Sequence, residues 1–549
     1  MVLSISRLGE PAIYDAIIAG YGPTGAVAAN LLGAAGLKVL IVDPSSEIYD
    51  IPRAVHFDGE VMRIFQAMGL ADAVSRLSAP GKKISFTNGK NWTLFEQDLS
   101  VVPRHNGWFN NQFFNQPRLE ACLREGVSRY PDVAFRSGWA LSSLDQVADK
   151  VRVQITYTGT DQTSIETEQT ELVSARYLLA CDGASSLVRT LLAIPQEDLH
   201  CDEPWLVCDL MLDGEEEFNR SGLQICDPAR PTTLIPCEGN HIRWEFMLNA
   251  ENEIEGVEEE AAVRAMMAPH LWRLSPKLTA EDGELVRAKV YKFHALIAET
   301  FQQGQVFLLG DAAHQTPPFL GQGLCAGVRD AYNLCWKLAG VIEGNHPASI
   351  LETYTSERRP HVNEVITTAV AHGAIIQARN PLKATVRDCY LMLGRAFPFL
   401  VSFLKFGEGW NLGPGLFGIE GAPSPGGAVG EPLPQGRVQQ RQDGQPTNTL
   451  WSDELLGTGY TLIGFDVDPA SLLTKNRNYD GLSTLHIGPE ASLQEIEGEL
   501  MNWATEHAVG LALVRPDRQV FGICRKGPDL APQLEQLIDR LYRQLEQHS

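Results

Sequence analysis

The sequence predicts an α/β fold in several domains, and three stretches carry that expectation. Residues 14–44, YDAIIAGYGPTGAVAANLLGAAGLKVLIVDP, read as strand, glycine turn, helix, strand. Residues 303–342, QGQVFLLGDAAHQTPPFLGQGLCAGVRDAYNLCWKLAGVI, repeat the strand, Gly/Pro turn and helix nearly three hundred residues later. Between them lie short alternating or apolar runs, among them LVCDLML, HIRWEFML and AKVYKFHALIAE, with the texture of an antiparallel sheet. At 549 residues the chain exceeds what one core accommodates, so two or three domains are expected.

In the first stretch, residues 15–19 form the short apolar run that a buried parallel strand requires. Gly20, Gly22 and Gly25 fit G-x-G-x-x-G, with Pro23 and Thr24 inside the turn. The first glycine allows the tight turn, the second lets backbone approach a pyrophosphate, and the third lets helix pack on strand. Residues 26–35 are nearly all small or apolar, so the helix is buried, and Gly36 suits its C-cap. The second strand ends on Asp43, placed to meet a ribose hydroxyl. This Rossmann-like unit predicts dinucleotide binding without separating a flavin from a nicotinamide.

In the second stretch, Val306–Leu309 reads as a buried strand with Gly310 and Asp311 at its carboxyl end, where α/β sheets put ligands. Pro318, Gly321, Gln322, Gly323 and Leu324 lead into a helix whose apolar positions Val328, Ala331, Leu334, Leu338 and Val341 recur at helical spacing. Its start offers free N–H groups and a positive dipole end, suited to a group that becomes negative without being a phosphate. The pyrimidine end of a reduced flavin is one such group. FAD is long enough to need one turn for its pyrophosphate and another for its ribityl chain and ring.

Composition excludes other classes. With 45 Lys+Arg against 68 Asp+Glu, a net charge of −23, the chain lacks the cations a nucleic-acid binder needs and is disfavoured on anionic lipid. Its ten cysteines include no CxxC and no Cys/His cluster of zinc spacing, so no metal is expected. The first residues show no basic and apolar leader, so a cytoplasmic protein is expected.

Together PRAVHFDGEVMRIFQAMGL, NQPRLE, CDGASSLVR, IRWEFML and GDAAHQTPPFLGQGLCAGVRDAYNLCWKL resemble the single-component FAD-dependent aromatic hydroxylases, the class of p-hydroxybenzoate and phenol hydroxylases, and within it the 3-(3-hydroxyphenyl)propionate hydroxylases. The resemblance covers roughly residues 12–420 and implies a phenol hydroxylated with O2 and NADH or NADPH through a flavin C4a-hydroperoxide. It implies that Arg53 reaches the flavin, that Gln116, Arg118, Asp182 and Gly183 contact the cofactor, and that Asp311 meets the ribityl hydroxyls. Pro318, Gly321 and Gly323 would line the ring.

The resemblance implies that Asp58 helps deprotonate the phenol, with His56 beside it; a carboxylate near the hydroxyl makes a phenolate easier to form. A helix-start acid facing the dipole is the alternative. Period 2 puts Arg243, Glu245 and Met247 on one strand face and Trp244, Phe246 and Leu248 on the other. Arg243 and Glu245 are pocket groups if their face looks inward and a solvated rim if it does not.

The expected organisation is an FAD-binding domain in three parts (1–84, 116–195, 299–345), a substrate domain in two (85–115, 196–298), a helical segment 346–420, a Gly/Pro-rich linker 421–447 and a small α/β domain 448–549. The last resembles the thioredoxin-like tail of phenol hydroxylase relatives. With only Cys524 it would be redox-dead and serve packing or homodimer formation. Competing readings are a flavin reductase or halogenase on the same scaffold, an NAD-dependent dehydrogenase, and a flavin binder without turnover. The halogenase signature WxWxIP is absent, and a dehydrogenase leaves the second turn unexplained.

Overall fold

The computed structural model describes residues 13–546 except 51, 160–168, 214–218, 249–252, 398, 402–409, 420, 425, 443–444, 475–476, 478 and 480. The leader expectation, which rests on the first residues, lies outside the described part, as do several linker positions.

The first domain is built on a mixed sheet with a parallel centre. Ile13–Ala19 pairs in parallel with Val39–Asp43 on one side and Thr170–Ala180 on the other, and Val306–Leu308 adds in parallel beyond Thr170–Ala180. This order decides the site. Three strands that are far apart in sequence end side by side, so the turns after Ala19, Ala180 and Leu308 meet at one carboxyl edge. The helix Pro23–Ala34 follows the first turn and is buried along most of its length because small residues let it lie close to the sheet. Gly20, at φ +100°, could carry no side chain without striking the Cys181 carbonyl. Side chains at Gly310 or Gly327 would strike Thr24, so the two glycine-rich turns touch through that threonine.

The inserted domain is a seven-stranded sheet in the order Glu284–Lys292, Pro204–Met211, His241–Met247, Thr232–Pro236, Gly222–Cys226, Lys83–Asn88 and Thr93–Asp98. It is antiparallel except where Gly222–Cys226 meets Lys83–Asn88. That junction joins two separate excursions of the chain, so no hairpin dictates its direction. One face, with Leu206, Cys208, Trp244, Phe246 and Leu248, forms a core of its own with the helix Glu260–Met267. The other, with Arg243, Glu245 and Met247, turns toward the first domain: Arg243 donates to the Pro52 and Arg53 carbonyls.

The helices Gly323–Ile342 and Thr353–Ile376 carry the first domain into the C-terminal one, a second seven-stranded mixed sheet flanked by the helices Glu499–Glu506 and Leu530–Glu546. Part of the expected linker is built into this sheet. Leu433 N–H donates to the Arg518 carbonyl, and the strand Arg437–Gln442 pairs with Gln445–Trp451.

Buried charge joins the domains. Arg515 forks onto Glu357 with two 2.9 Å bonds and also bonds Asp517, while Lys337 donates to Glu357 at 2.9 Å. On the other side Arg63 pairs with Asp453 at 2.6 Å. Burial opposes the charge on Glu357, yet Arg515 and Lys337 hold it well below the ordinary carboxylate range. Arg515→Met should therefore cost about 3–5 kcal/mol, because it leaves Glu357 and Asp517 buried with too few partners. Urea unfolding at neutral pH measures this. The stability lent by Glu357 is present above the ordinary carboxylate value and disappears as pH falls through its lowered one.

Candidate active site

At the first turn, Tyr21 N–H donates to Asp43 at 2.7 Å and Ser45 N–H donates to its other oxygen at 2.8 Å, so the expected ribose acid is fixed at the strand end. A side chain at Gly22 would meet nothing within 4 Å, while one at Gly25 would strike the Gly20 carbonyl. The middle glycine thus faces open space and the outer ones are close-packing positions, the arrangement a pyrophosphate requires. Thr24 sits under both turns. Pro23 opens the helix at a position where its missing N–H costs nothing.

At the second turn, Gly310 has φ +57° and its N–H donates to Asp330 at 3.0 Å. The same carboxylate takes His314 at 2.7 Å, and its other oxygen takes Arg358 at 2.8 Å. Asp311 is exposed to the cleft and accepts no hydrogen bond among the described residues. Gly321 stands at φ +64° with His56 so near that a side chain there would lie 2.9 Å from its Nδ1. Gly323 begins the long helix, and a Cβ there would come no nearer than 4.0 Å to Thr316. The side-chain Nε2 of Gln322 and Oγ of Thr316 are buried without partners, and Leu324 is half-buried beside them.

The middle turn contributes Asp182, whose Oδ2 accepts from Val188 N–H at 3.1 Å while its Oδ1 is buried and unpartnered. Gly183, at φ +80°, faces open space. Arg189 ties this turn to the second one by donating to the Ala184 and Ala312 carbonyls at 2.9 and 2.8 Å. An open backbone cradle, a free carboxylate and orphaned polar atoms along one edge fit FAD: backbone at Gly22 for the pyrophosphate, Asp43 for ribose, Asp311 for the ribityl hydroxyls, and the Pro318–Gly323 segment for the ring.

Several expected contacts take other partners. The Gln116 side-chain oxygen accepts from Arg53 and Ala54 N–H at 2.9 and 2.7 Å, so it shapes the loop carrying Arg53. The Arg53 guanidinium lies over the Tyr49 ring, 4.9 Å from its centroid. Arg118 is exposed and bonds Glu238 of the inserted sheet at 3.1 Å. Sequence reasoning missed Arg124, which donates to the Tyr21 carbonyl at 2.9 Å inside the glycine turn. Its signal was there: Glu120, one helical turn earlier, holds it by an i,i+4 pair at 2.8 Å.

Asp58 caps the helix Gly59–Ala67 by accepting from Val61 N–H at 3.1 Å, and its other oxygen takes Arg329 at 2.6 Å. Burial would raise its pKa, but Arg329 and the Val61 N–H hold it below the usual carboxylate range. Asp58, expected to assist deprotonation, thus has both oxygens engaged and links this helix to the long one. Arg243, another expected catalytic group, directs its donors to Asp209 at 2.9 Å and to the two loop carbonyls. His56 is buried between Asn111 Oδ1, 3.0 Å from Nε2, and the Gly321 carbonyl, 3.3 Å from Nδ1. Burial lowers its pKa, against the pull of Asp58.

Glu245 lies in the middle of the inward sheet face, buried, with no hydrogen-bond partner among the described residues. Burial pushes its carboxyl up to about 7, against the pull of Arg243 and with the help of Asp209. Beside it Trp205 packs on Phe319 of the second turn at 5.8 Å, and Phe293 lies 6.1 Å from Trp205 and 6.3 Å from Phe319.

Residues 13–369 match the FAD binding domain family, and residues 430–541 match the HcaD C-terminal domain. The 3-(3-hydroxy-phenyl)propionate/3-hydroxycinnamic acid hydroxylase 2 of Burkholderia vietnamiensis is 32% identical over 528 residues, covering 92% of each chain. The chain is an FAD-dependent aromatic hydroxylase. A Rhodococcus jostii protein named "Probable NADH-specific resorcinol 4-hydroxylase" is also 32% identical, over 95% of this chain and 94% of its own. The flavin-dependent monooxygenase PieE, solved with FAD and substrate, shares the fold at a TM-score of 0.78 and 21% identity, over 97% of this hydroxylase and all of that chain. Aklavinone-11 hydroxylase follows at 0.73 and 21%, over 97% and 99%.

Gly22→Val should leave this hydroxylase folded, since its side chain meets no protein atom, yet strip it of FAD. Normal flavin content in the purified variant contradicts the first-turn assignment. Asp311→Ala should weaken FAD by about 1.5–3 kcal/mol if one charged hydrogen bond is lost, read as the flavin dissociation constant.

Proposed function

We propose that the substrate is a phenol with a second substituent meta to the hydroxyl, of the 3-(3-hydroxyphenyl)propionate or resorcinol type, bound between the second turn and the inward sheet face. The observation that carries this reading is the aromatic cluster where sheet and second turn meet. The Trp205, Phe293 and Phe319 rings pack together there, and the same sheet face carries Met247 and the lone carboxyl of Glu245. Flat aromatic walls suit an aromatic ring through edge and offset contacts. The names of the relatives, which hydroxylate 3-hydroxyphenyl acids or resorcinol, point to the same ring pattern.

Bound FAD, reduced by NADH or NADPH, would supply the electrons that split O2, with one oxygen atom entering the ring and the other leaving as water. The protein binds, orients and excludes water. Backbone at Gly20–Gly25 and Gly183, with Asp43, Asp182 and Asp311, would hold the long axis of the cofactor. His56, with Nδ1 at 3.3 Å from it, would fix the Gly321 carbonyl and with it the bend of the second turn. The Trp205, Phe293 and Phe319 rings would keep bulk water from a carbon reacting beside them, which protects reactive species from discharge into solvent.

Purified protein should be yellow with bound FAD, and a panel of phenols should include meta-substituted members that accelerate NAD(P)H oxidation and yield a product one oxygen heavier by mass. Acceleration by none of them contradicts this reading.

A further inference from the structure

We propose that Glu245 is the proton acceptor for the phenolic hydroxyl, a catalytic residue on the sheet that roofs the flavin site. The proposal rests on the reading above and assigns a role on that same sheet face.

Geometry brackets the residue. Two positions before it, Arg243 touches the Pro52 and Arg53 carbonyls of the flavin-side loop. Two positions after it, Met247 pairs with Trp205, which packs on Phe319 of the second turn. Same-face residues of a strand recur every second position, so Glu245 sits midway between the two places where the roof rests on the cradle. Its row across the sheet runs Lys289, Val207, Glu245, Thr233 and Gln224. Thr233 donates to Gln224 at 2.7 Å, and Lys289 pairs with Glu258 at 3.0 Å, so neither satisfies the carboxyl.

The charged groups around it are otherwise engaged. Asp209 holds His241 at 2.8 Å and Arg243 at 2.9 Å, and Arg287 reaches both Asp209 and the Pro52 carbonyl. Arg53 lies over Tyr49, and His56 is tied at both nitrogens. A buried carboxyl without a partner is costly, and such a group is kept where a ligand completes it. The other carboxylate expected from sequence, Asp58, is locked to Arg329 and the helix end. A carboxyl raised to about 7 is ionised often enough at neutral pH to take a proton and basic enough to hold it.

The proton balance closes over one turnover. The phenol O–H gives its proton to the Glu245 carboxylate as electron density moves to the ring. The ring gains one oxygen atom from O2 at a carbon that still bears hydrogen. That carbon then loses its proton, which passes through solvent to the newly bound oxygen. The protonated Glu245 returns its own proton to the original ring oxygen, and the aromatic dihydroxy product leaves with Glu245 ionised. The second oxygen atom leaves as water with the hydride of NAD(P)H and one solvent proton. NAD(P)H supplies the two electrons.

The test uses holoenzyme and the phenol that best accelerates NAD(P)H oxidation. Glu245→Gln should keep FAD content, phenol affinity and the rate of flavin reduction. Its single-turnover hydroxylation at neutral pH should fall by about 10²–10⁴-fold, with NAD(P)H use diverted to hydrogen peroxide. The wild-type rate should rise with pH through about 7 as Glu245 ionises. The Gln variant should lack that rise and recover only as pH approaches the value of the phenol, near ~10 by analogy with tyrosine. Glu245→Asp should restore part of the neutral rate. A Gln variant with the wild-type rate and pH profile overturns the proposal alone. A wild-type enzyme that hydroxylates no phenol overturns the substrate reading, and this proposal falls with it.

Discussion

The carboxylate of Asp330 is the constraint on which the site rests. It receives the Gly310 N–H, His314 and Arg358 together, in full burial. One bond fixes the left-handed start of the second turn, another its return, and the third ties both to the next long helix. Arg329, the preceding residue on the same helix, reaches the other way to Asp58 and Glu60. The helix Gly323–Ile342 therefore holds two parts of the flavin cradle by adjacent side chains. Burial weighs against every one of these charges, and each is stabilised only because its partner is present.

From that helix the same logic extends outward. Asn333 and Lys337, one and two turns further, reach Glu357 and through it Arg515 of the C-terminal domain. The C-terminal sheet carries no second cysteine near Cys524 with which to do redox chemistry among the described residues, and its buried ion pairs give it a bracing role. The inserted sheet is anchored differently, through guanidinium groups on loop carbonyls and an aromatic contact with the second turn.

The parts legible in the sequence were those set by local backbone geometry. A tight turn that must bend between strand and helix demands glycine, so Gly20, Gly25, Gly310 and Gly321 marked the cradle before any contact was known. Long apolar periodicity marked the helix Gly323–Ile342. The roles of Asp58 and Arg243 were not legible because their partners, Arg329 and Asp209, lie far along the chain and only the fold brings them close. The orientation of the His241–Met247 strand depended on which face the helix Glu260–Met267 would cover, and alternation alone is symmetric to that choice. The aromatic wall of Trp205, Phe293 and Phe319 had no sequence signal for the same reason.

The most direct test of the account is the electron density of FAD in crystals of the holoenzyme. The pyrophosphate should lie against Gly22, the ribityl chain beside Asp311, and the ring between the Pro318–Gly323 segment and the sheet face bearing Glu245 and Trp205. A ring bound elsewhere, or on the Trp244 and Phe246 face, would contradict the assignment of cradle and roof.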